Sequence, residues 1–379
     1  MNREAAYWVA LAHLPRWKYQ SINNLIVQFY HEHNLPVEDF FQLSEKEWRN
    51  TYGLNDTEIG DLKTAKSELP NTAFLAESLL NEGYQIIPIT ASEYSKTLKE
   101  NMKTSKAPPL IYVKGNSQVL EEKSIAIVGS RNASEKSLQF TDNIAKLAGK
   151  EYKVVVSGFA KGVDKQALDS ALKYKGQSII VLPQGIMTFG SGYKKYYKQI
   201  VDGDVLVLSI FHPKVPWRVE LAMARNPIIY GLANEIYVAE SSDKGGTWSG
   251  VMDGLRRERK IFVRKAEGSE KNANNLLIQK GAVPVDSNGK VTEEFIPAEQ
   301  RKLSFKTEEP LSAYENKIFE LLKKGEYSVK EIIKHLDLQI SEFKLREYLK
   351  SNDAIIMIPK KPLRFTLKSN AKKQGKLFE

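Results

Sequence analysis

No cysteine occurs in the 379 residues. That excludes disulfides, thiolate metal sites and a cysteine nucleophile, and it suits a reducing compartment. The five histidines are scattered, and His31-Glu-His33 lacks the i, i+4 spacing that sets two ligands on one helix face, so no metal site is expected. No apolar run approaches the ~18 residues of a spanning helix, and nothing resembles a secretory signal. The expectation is a soluble, cytoplasmic protein with no membrane partner. The usual nucleotide and hydrolase signatures are missing as well. Gly129-Ser-Arg-Asn-Ala-Ser-Glu-Lys136 lacks the second glycine and the Gly-Lys-Ser/Thr ending of a loop that wraps a triphosphate. No G-x-G-x-x-G follows a strand to seat a dinucleotide, and no G-x-S-x-G elbow or neighbouring His activates Ser130 or Ser157. Neither a catalytic residue nor a cofactor is expected.

What the chain has in surplus is positive charge. Lys and Arg number 56 against 46 Asp and Glu, a net charge of +10. Such a balance favours a polyanion such as nucleic acid, although a generic lysine-rich surface gives the same total. The length predicts two or three domains.

Residues 1–83 read as a helical domain of five short helices. Tyr7–Leu14 and Ile22–Tyr30 carry apolar residues at helical spacing, Ser44 and Glu47 have capping-box spacing, and Pro70 closes a later helix. Pro15-Arg-Trp-Lys18 stands where a phosphate-gripping hairpin would want glycines, so packing or partner docking suits this domain better than DNA contact. Residues 84–286 alternate strand and helix. The strands are Ser124–Val128, Lys153–Ser157, Ser178–Leu182, Val205–Leu208, Glu235–Ala239 and Lys260–Val263, after two at Gly83–Ile89 and Pro109–Val113. Their separation by helical segments implies an α/β fold with a doubly wound, mostly parallel, Rossmann-like sheet. Residues 287–310 read as a linker. Residues 311–368 suggest three helices and a two-strand wing, a winged helix, and 369–379 a basic tail. Residues 317–379 hold 15 Lys and Arg against 8 Asp and Glu. That concentration fits DNA phosphates or the solvated face of a protein-docking module.

The most informative stretch is Ile125-Ala-Ile-Val-Gly-Ser-Arg-Asn132, a helical segment, then Val154-Val-Val-Ser-Gly-Phe-Ala-Lys-Gly-Val-Asp164. Each half is an apolar strand ending in a Gly/Ser turn that carries a cation and opens a helix. In parallel sheets ligands sit outside the carboxyl ends of strands, and helix N-termini present free N–H groups to anions. Gly129, Ser130, Arg131, Ser157, Gly158, Lys161 and Gly162 therefore predict a phosphate-sized pocket, with Asp164 capping the second helix. The fork of Arg131 suits two phosphate oxygens, unless a local carboxylate takes it. Lys161 could equally be a solvated lysine. Arg225 and Asn226 offer a further fork and an amide. Lys244, Gly246 and Thr247 open another helix after the strand ending at Ala239. Trp248 beyond it could stack a base or belong to the core.

The ordered set Ala126-Ile-Val-Gly-Ser-Arg-Asn-Ala133, Val156-Ser-Gly-Phe-Ala-Lys-Gly-Val-Asp164, Ile180-Val-Leu-Pro-Gln-Gly185, Arg225-Asn226 with Ile228-Ile229, and Asn275-Leu-Leu-Ile-Gln-Lys-Gly-Ala282 resembles the DNA-processing protein A (DprA/Smf) family. So does the layout of a helical SAM-like domain, an extended Rossmann fold and a C-terminal winged helix. The resemblance implies a bacterial single-stranded-DNA-binding protein without enzymatic activity. Such a protein protects incoming DNA in natural transformation, helps load a RecA-type recombinase, and forms a homodimer through the Rossmann domain. It maps the family's DNA pocket onto Arg131, Lys161, Arg225 and Asn226, with Gly246-Thr247 in place of Gly-Ser-Leu. There are departures. The second Arg of the family's Arg-Asn-Arg is Pro227, its Asn-Phe-Pro lead-in is absent, and Ile186-Met-Thr-Phe-Gly-Ser-Gly192 replaces an Asp and Tyr-Pro signature. Ser209-Ile-Phe-His-Pro213 keeps the frame of Ser-Glu-Tyr-Pro but loses its acid. A nucleotide sensor in a bacterial defence or mobile-element setting is the alternative. The Gly-Gly-Thr turn also resembles that of nucleotide phosphoribohydrolases, but Gly250 stands where they place a catalytic Glu.

Overall fold

A computed structural model describes residues 3–268, 270–292, 311–338, 342–358 and 363–369. The chain forms two compact units, residues 1–295 and 296–379.

In the first unit the strands are β1 (Gln85–Pro88), β2 (Leu110–Lys114), β3 (Ser124–Gly129), β4 (Val154–Ser157), β5 (Ser178–Val181), β6 (Val205–Ser209), β7 (Glu235–Glu240), β8 (Ile261–Arg264) and β9 (Val283–Val285). They make one sheet in the order β1-β2-β6-β5-β4-β3-β7-β8-β9. From β6 to β9 every pairing is parallel; β2 joins β6 antiparallel and β1 joins β2 antiparallel. The fold is thus the doubly wound α/β sheet that the alternating segments predict. Central strands are continuous apolar runs because helices cover both faces. Ile125 and Ile127 enter the core on one face, Ala126 and Val128 the core on the other, as the two-residue period of a strand requires. The chain leaves β3 toward β4, β5 and β6, then returns to place β7 on the other side of β3. That reversal of winding opens a crevice at the carboxyl ends of β3 and β7.

Among the described residues, six α-helices precede the sheet, against the five expected: α1 (Arg3–Ala12), α2 (Tyr19–Ile26), α3 (Val37–Gln42), α4 (Glu45–Tyr52), α5 (Asp56–Ser67) and α6 (Leu69–Asn81). Pro70 does not close a helix; it sits in the first turn of α6, where its missing N–H and fixed φ are tolerated. The Ser44–Glu47 capping box forms as spaced. These helices share a hydrophobic core with the sheet through Trp8, Leu11, Ile22, Ile111 and Tyr112. His13 meets the Tyr112 hydroxyl at 2.8 Å, and Asn23 donates to the Ala107 carbonyl at 2.8 Å.

The remaining helices are α7 (Lys96–Met102), α8 (Glu135–Lys150), α9 (Val163–Lys173), α10 (Gly190–Val201), α11 (Val219–Leu232), α12 (Gly245–Arg256) and α13 (Asn274–Gln279). Behind the strand ends, buried Arg264 grips Glu270 with two hydrogen bonds of 2.9 and 2.5 Å and also donates to the Ala239 carbonyl and Ser137 Oγ. These bonds pull the Glu270 carboxyl from its ordinary 4.5 to about 2. A depressed carboxylate contributes stability above its unfolded pKa and loses it as pH falls through the folded value. The stability gap between the native chain and Glu270→Gln should therefore narrow between about pH 4.5 and 2, read as urea midpoints across pH.

The second unit has helices Leu311–Lys323, Val329–Leu336 and Glu342–Ser351. Its strands Ile355–Ile358 and Arg364–Leu367 pair antiparallel, and Tyr327–Ser328 adds a third short strand beside the latter. Ile318, Leu322, Ile332, Leu345 and Phe365 fill its own core. Ser328 and Glu331 form the capping box that their spacing predicts. Of the expected linker, residues 287–292 are described and carry a turn, with Asp286 N–H donating to the Lys290 carbonyl at 2.9 Å. The rest of the linker (293–310) and nearly all of the basic tail (370–379) lie outside the described residues.

Candidate functional site

Three glycine turns meet at the crevice. β3 ends in a register shift between Val128 and Gly129, beside Glu240. Gly129 is closely approached: a Cβ there would lie 2.6 Å from Val163 Cγ2. The chain then turns through Ser130 and Arg131 to Ser134, which caps α8 by accepting from Ser137 N–H and donates its hydroxyl to Glu240 at 2.6 Å. After β4 the turn passes through Gly158 and Lys161 to Gly162, whose φ of +85° is open to glycine and costly for other residues. A Cβ on Gly162 would collide with the carbonyl oxygens of Ser130 and Arg131, and Val163 N–H donates to the Ser130 carbonyl at 3.2 Å. The first two turns are fastened together. The third, after β7, runs through Lys244 and Gly245 into α12.

Arg225 and Asn226 come from the middle of α11, not from a turn. Gly129, Ser130, Arg131, Arg225, Asn226, Lys244, Gly246 and Thr247 line one cavity of about 370 Å³, within the ~300–1,000 Å³ range of ligand sites. Lys161 and Gly162 border a neighbouring depression shared with Arg131, and Arg131, Lys161 and Arg225 meet around a third. Arg131 is the wall common to all three. Among the described residues, no carboxylate pairs with Arg131, Lys161 or Lys244.

The electrostatic centre is Arg225. Its side chain is 4% exposed, and its Nη1 stands 3.8 Å from Asp164 Oδ2, too far for a hydrogen bond. The Nε and Nη1 donors have no partner. Burial lowers the Arg225 pKa, with Asp164 opposing; burial raises that of Asp164, with Arg225 opposing. Neither charge is fully compensated by the other. A Cβ at Gly158 would strike both side chains, so only glycine leaves them room.

Two sequence expectations need correction. Ser157 is buried, and its hydroxyl donates at 2.8 Å to the Ile127 carbonyl across the β3–β4 ladder; it does not line the cavity and reaches it only through its neighbour Asp164. Asp164 does not cap α9, which begins at Val163 after Gly162; it turns inward toward Arg225. Lys161 does not line the cavity of Arg225, Asn226 and Thr247, but it borders the two flanking depressions and in one of them meets Arg131 and Arg225. Trp248 packs against the core. In the helical region, Arg16 is bound by the buried carboxylate of Asp61, which also accepts from the Trp17 indole at 3.1 Å, so that cation is neutralised. Trp217, Val219 and Met223 also stand on the crevice wall; in the sequence their signal is Pro216-Trp-Arg218, an aromatic beside a cation.

Fold and site define an α/β protein with a cationic, glycine-lined crevice at the point where a doubly wound sheet reverses. Comparison with known proteins narrows this. The sequence profile described as DNA recombination-mediator protein A matches residues 85–296. The DNA processing protein DprA of Streptococcus pneumoniae is 32% identical over 193 residues, 50% of this chain and 67% of that protein. The Bacillus subtilis DprA is 28% identical over 221 residues, 56% of this chain and 72% of its own. The X-ray structure of the pneumococcal protein superposes with a TM-score of 0.58 at 24% identity, covering 78% of this chain and 99% of that one. The chain belongs to the DNA recombination-mediator protein A (DprA/Smf) family.

Proposed function

We propose that the crevice binds the sugar–phosphate backbone of single-stranded DNA and that the chain works as a binding protein in recombination or natural transformation. The observation that carries this is the pair of unpartnered donors on buried Arg225. A buried donor without an acceptor is costly, more so when charged, and a phosphate oxygen entering between Arg225 and Arg131 would satisfy it. Glycine turns and the N-terminus of α12 add backbone donors suited to an anion, and the net charge of +10 assists approach. On this reading a RecA-type recombinase is the partner protein, the chain pairs with a second copy through the Rossmann-like domain, and the setting is the cytoplasm. Residues 1–83 serve as a SAM-like packing or docking domain and 311–368 as a winged helix.

Arg131→Ala tests the reading. Losing a two-pronged charged contact should weaken binding to oligo(dT) at least about tenfold. It should also reduce the slope of log affinity against log salt by about 0.7, the value for one phosphate of a single strand. Anisotropy titrations on single- and double-stranded oligonucleotides at several salt concentrations read both quantities. Unchanged affinity and slope would dismiss the proposal.

A further inference from the structure

The crevice has an apolar lip for which a backbone grip gives no role. Trp217, Val219 and Met223 are 53%, 52% and 48% exposed. Val219 and Met223 face the cavity of Arg131 and Arg225, and Trp217 lines the adjoining depression that carries Arg131, Lys161 and Arg225. Trp8, Trp17 and Trp48 each donate their indole N–H to an acceptor. For Trp217 no acceptor is present among the described residues. The indole is not on a slack loop. Gly185 N–H donates to the Val215 carbonyl at 2.8 Å, Met187 N–H to that of Pro213 at 3.0 Å, and Val215 N–H to that of His212 at 3.0 Å. A Cβ on Gly185 would run into the carbonyl oxygens of His212 and Pro213. The loop is pinned against its neighbour, and Trp217 is held out to solvent at a cost in hydrophobic free energy that a ligand would recover.

The chemistry of that ligand follows from the neighbours. Arg131, Lys161 and Arg225 call for anionic oxygens, and an indole face beside them calls for a flat aromatic group carried on the same molecule. We propose that Trp217 is a stacking platform for one base of a strand whose phosphates rest on Arg131 and Arg225. The inference rests on the reading of the crevice as a sugar–phosphate site. It explains how the site distinguishes unpaired strands: in a duplex each base is already stacked on its neighbours and cannot turn to the indole, whereas every unpaired base offers a π-face.

The test compares two ligands of equal length on the full chain, oligo(dT) and an abasic deoxyribose-phosphate oligomer. Trp217→Ala should lower affinity for oligo(dT) about ten- to a hundredfold, leave the abasic ligand bound as before, and leave the salt slope unchanged. Trp217→Phe should retain most of the oligo(dT) affinity. An equal loss on both ligands, or a loss on neither, overturns the platform. Arg131→Ala, run alongside, must weaken both ligands. If it does while Trp217→Ala changes nothing, the platform alone falls. If Arg131→Ala is silent on both, the backbone reading falls and the platform with it.

Discussion

Arg225→Ala should lower the stability of the first unit by about 3–5 kcal/mol and abolish measurable binding of single-stranded DNA. The stability loss follows from what stays behind. Asp164 is buried at the start of α9, its pKa already raised by desolvation and restrained by Arg225. Removing the guanidinium takes from the buried carboxylate its largest favourable interaction, leaving the Ala160 N–H, the Arg131 charge and Ser157 to support the costly half of a broken ion pair. The sign of its pH dependence is fixed. An acid whose folded pKa is raised above its unfolded value costs stability above the unfolded pKa, and that cost is absent below it. The deficit of Arg225→Ala should therefore be largest at neutral pH and shrink as pH falls toward the ordinary aspartate value of 3.8. Adding Asp164→Asn removes the stranded charge and should restore much of the stability without restoring DNA binding. Urea unfolding from pH 4 to 8, with anisotropy at neutral pH, separates the two effects. Equal stability of the single and double variants at every pH would show that Asp164 does not depend on Arg225.

Gly162→Ala is expected to cost about 3 kcal/mol or more, a large effect for one methyl group. Two penalties combine. The backbone at φ +85° and ψ −129° is a region that residues with a Cβ enter at about 1–3 kcal/mol, and the new carbon would collide with the carbonyl oxygens of Ser130 and Arg131. Those are main-chain atoms, unable to swing aside as a side-chain tip would. The turn carrying Arg131 must move, so DNA affinity should fall under conditions where the variant remains folded. Gly60→Ala is the natural contrast. Gly60 lies inside α5 with open space where its Cβ would go, and the change should stabilise by about 0.5–1 kcal/mol. Melting temperatures of the two variants should move in opposite directions; a shared direction would remove the argument from backbone geometry at Gly162.

Much of this protein is legible in its sequence. The strands from β3 to β8 are short apolar runs bounded by turns, and each lies within about a residue of its expected place, because a strand covered on both faces must be continuously apolar. The three-residue β9 and the two-residue strand Tyr327–Ser328 are too short to show a pattern and were not expected. The capping boxes at Ser44 and Ser328 formed because their partners lie three residues away in one helical turn. The turns at Gly129–Arg131, Gly158–Gly162 and Lys244–Thr247 stand out in the sequence because glycine, cation and helix start are local features, and the structure brings them to one crevice.

Harder to read was how distant residues face one another. Ser157 had the right type and place for a ligand contact, yet strand alternation and a ladder neighbour, Ile127, claimed its hydroxyl. Asp164 stood in a capping position by sequence, and the turn of α9 directed it inward to Arg225, 61 residues later. Trp217 carries only the weak local signal of an aromatic beside a cation, Arg218. Local pattern determined the elements and the chemistry of each turn, since hydrogen bonding within a strand or helix reaches only a few residues. The crossing of the chain from one side of β3 to the other decided which turns share a crevice, which cation is buried without a full partner, and which indole is held at its edge. Those relations depend on packing between segments far apart in the chain, and no spacing along it encodes them.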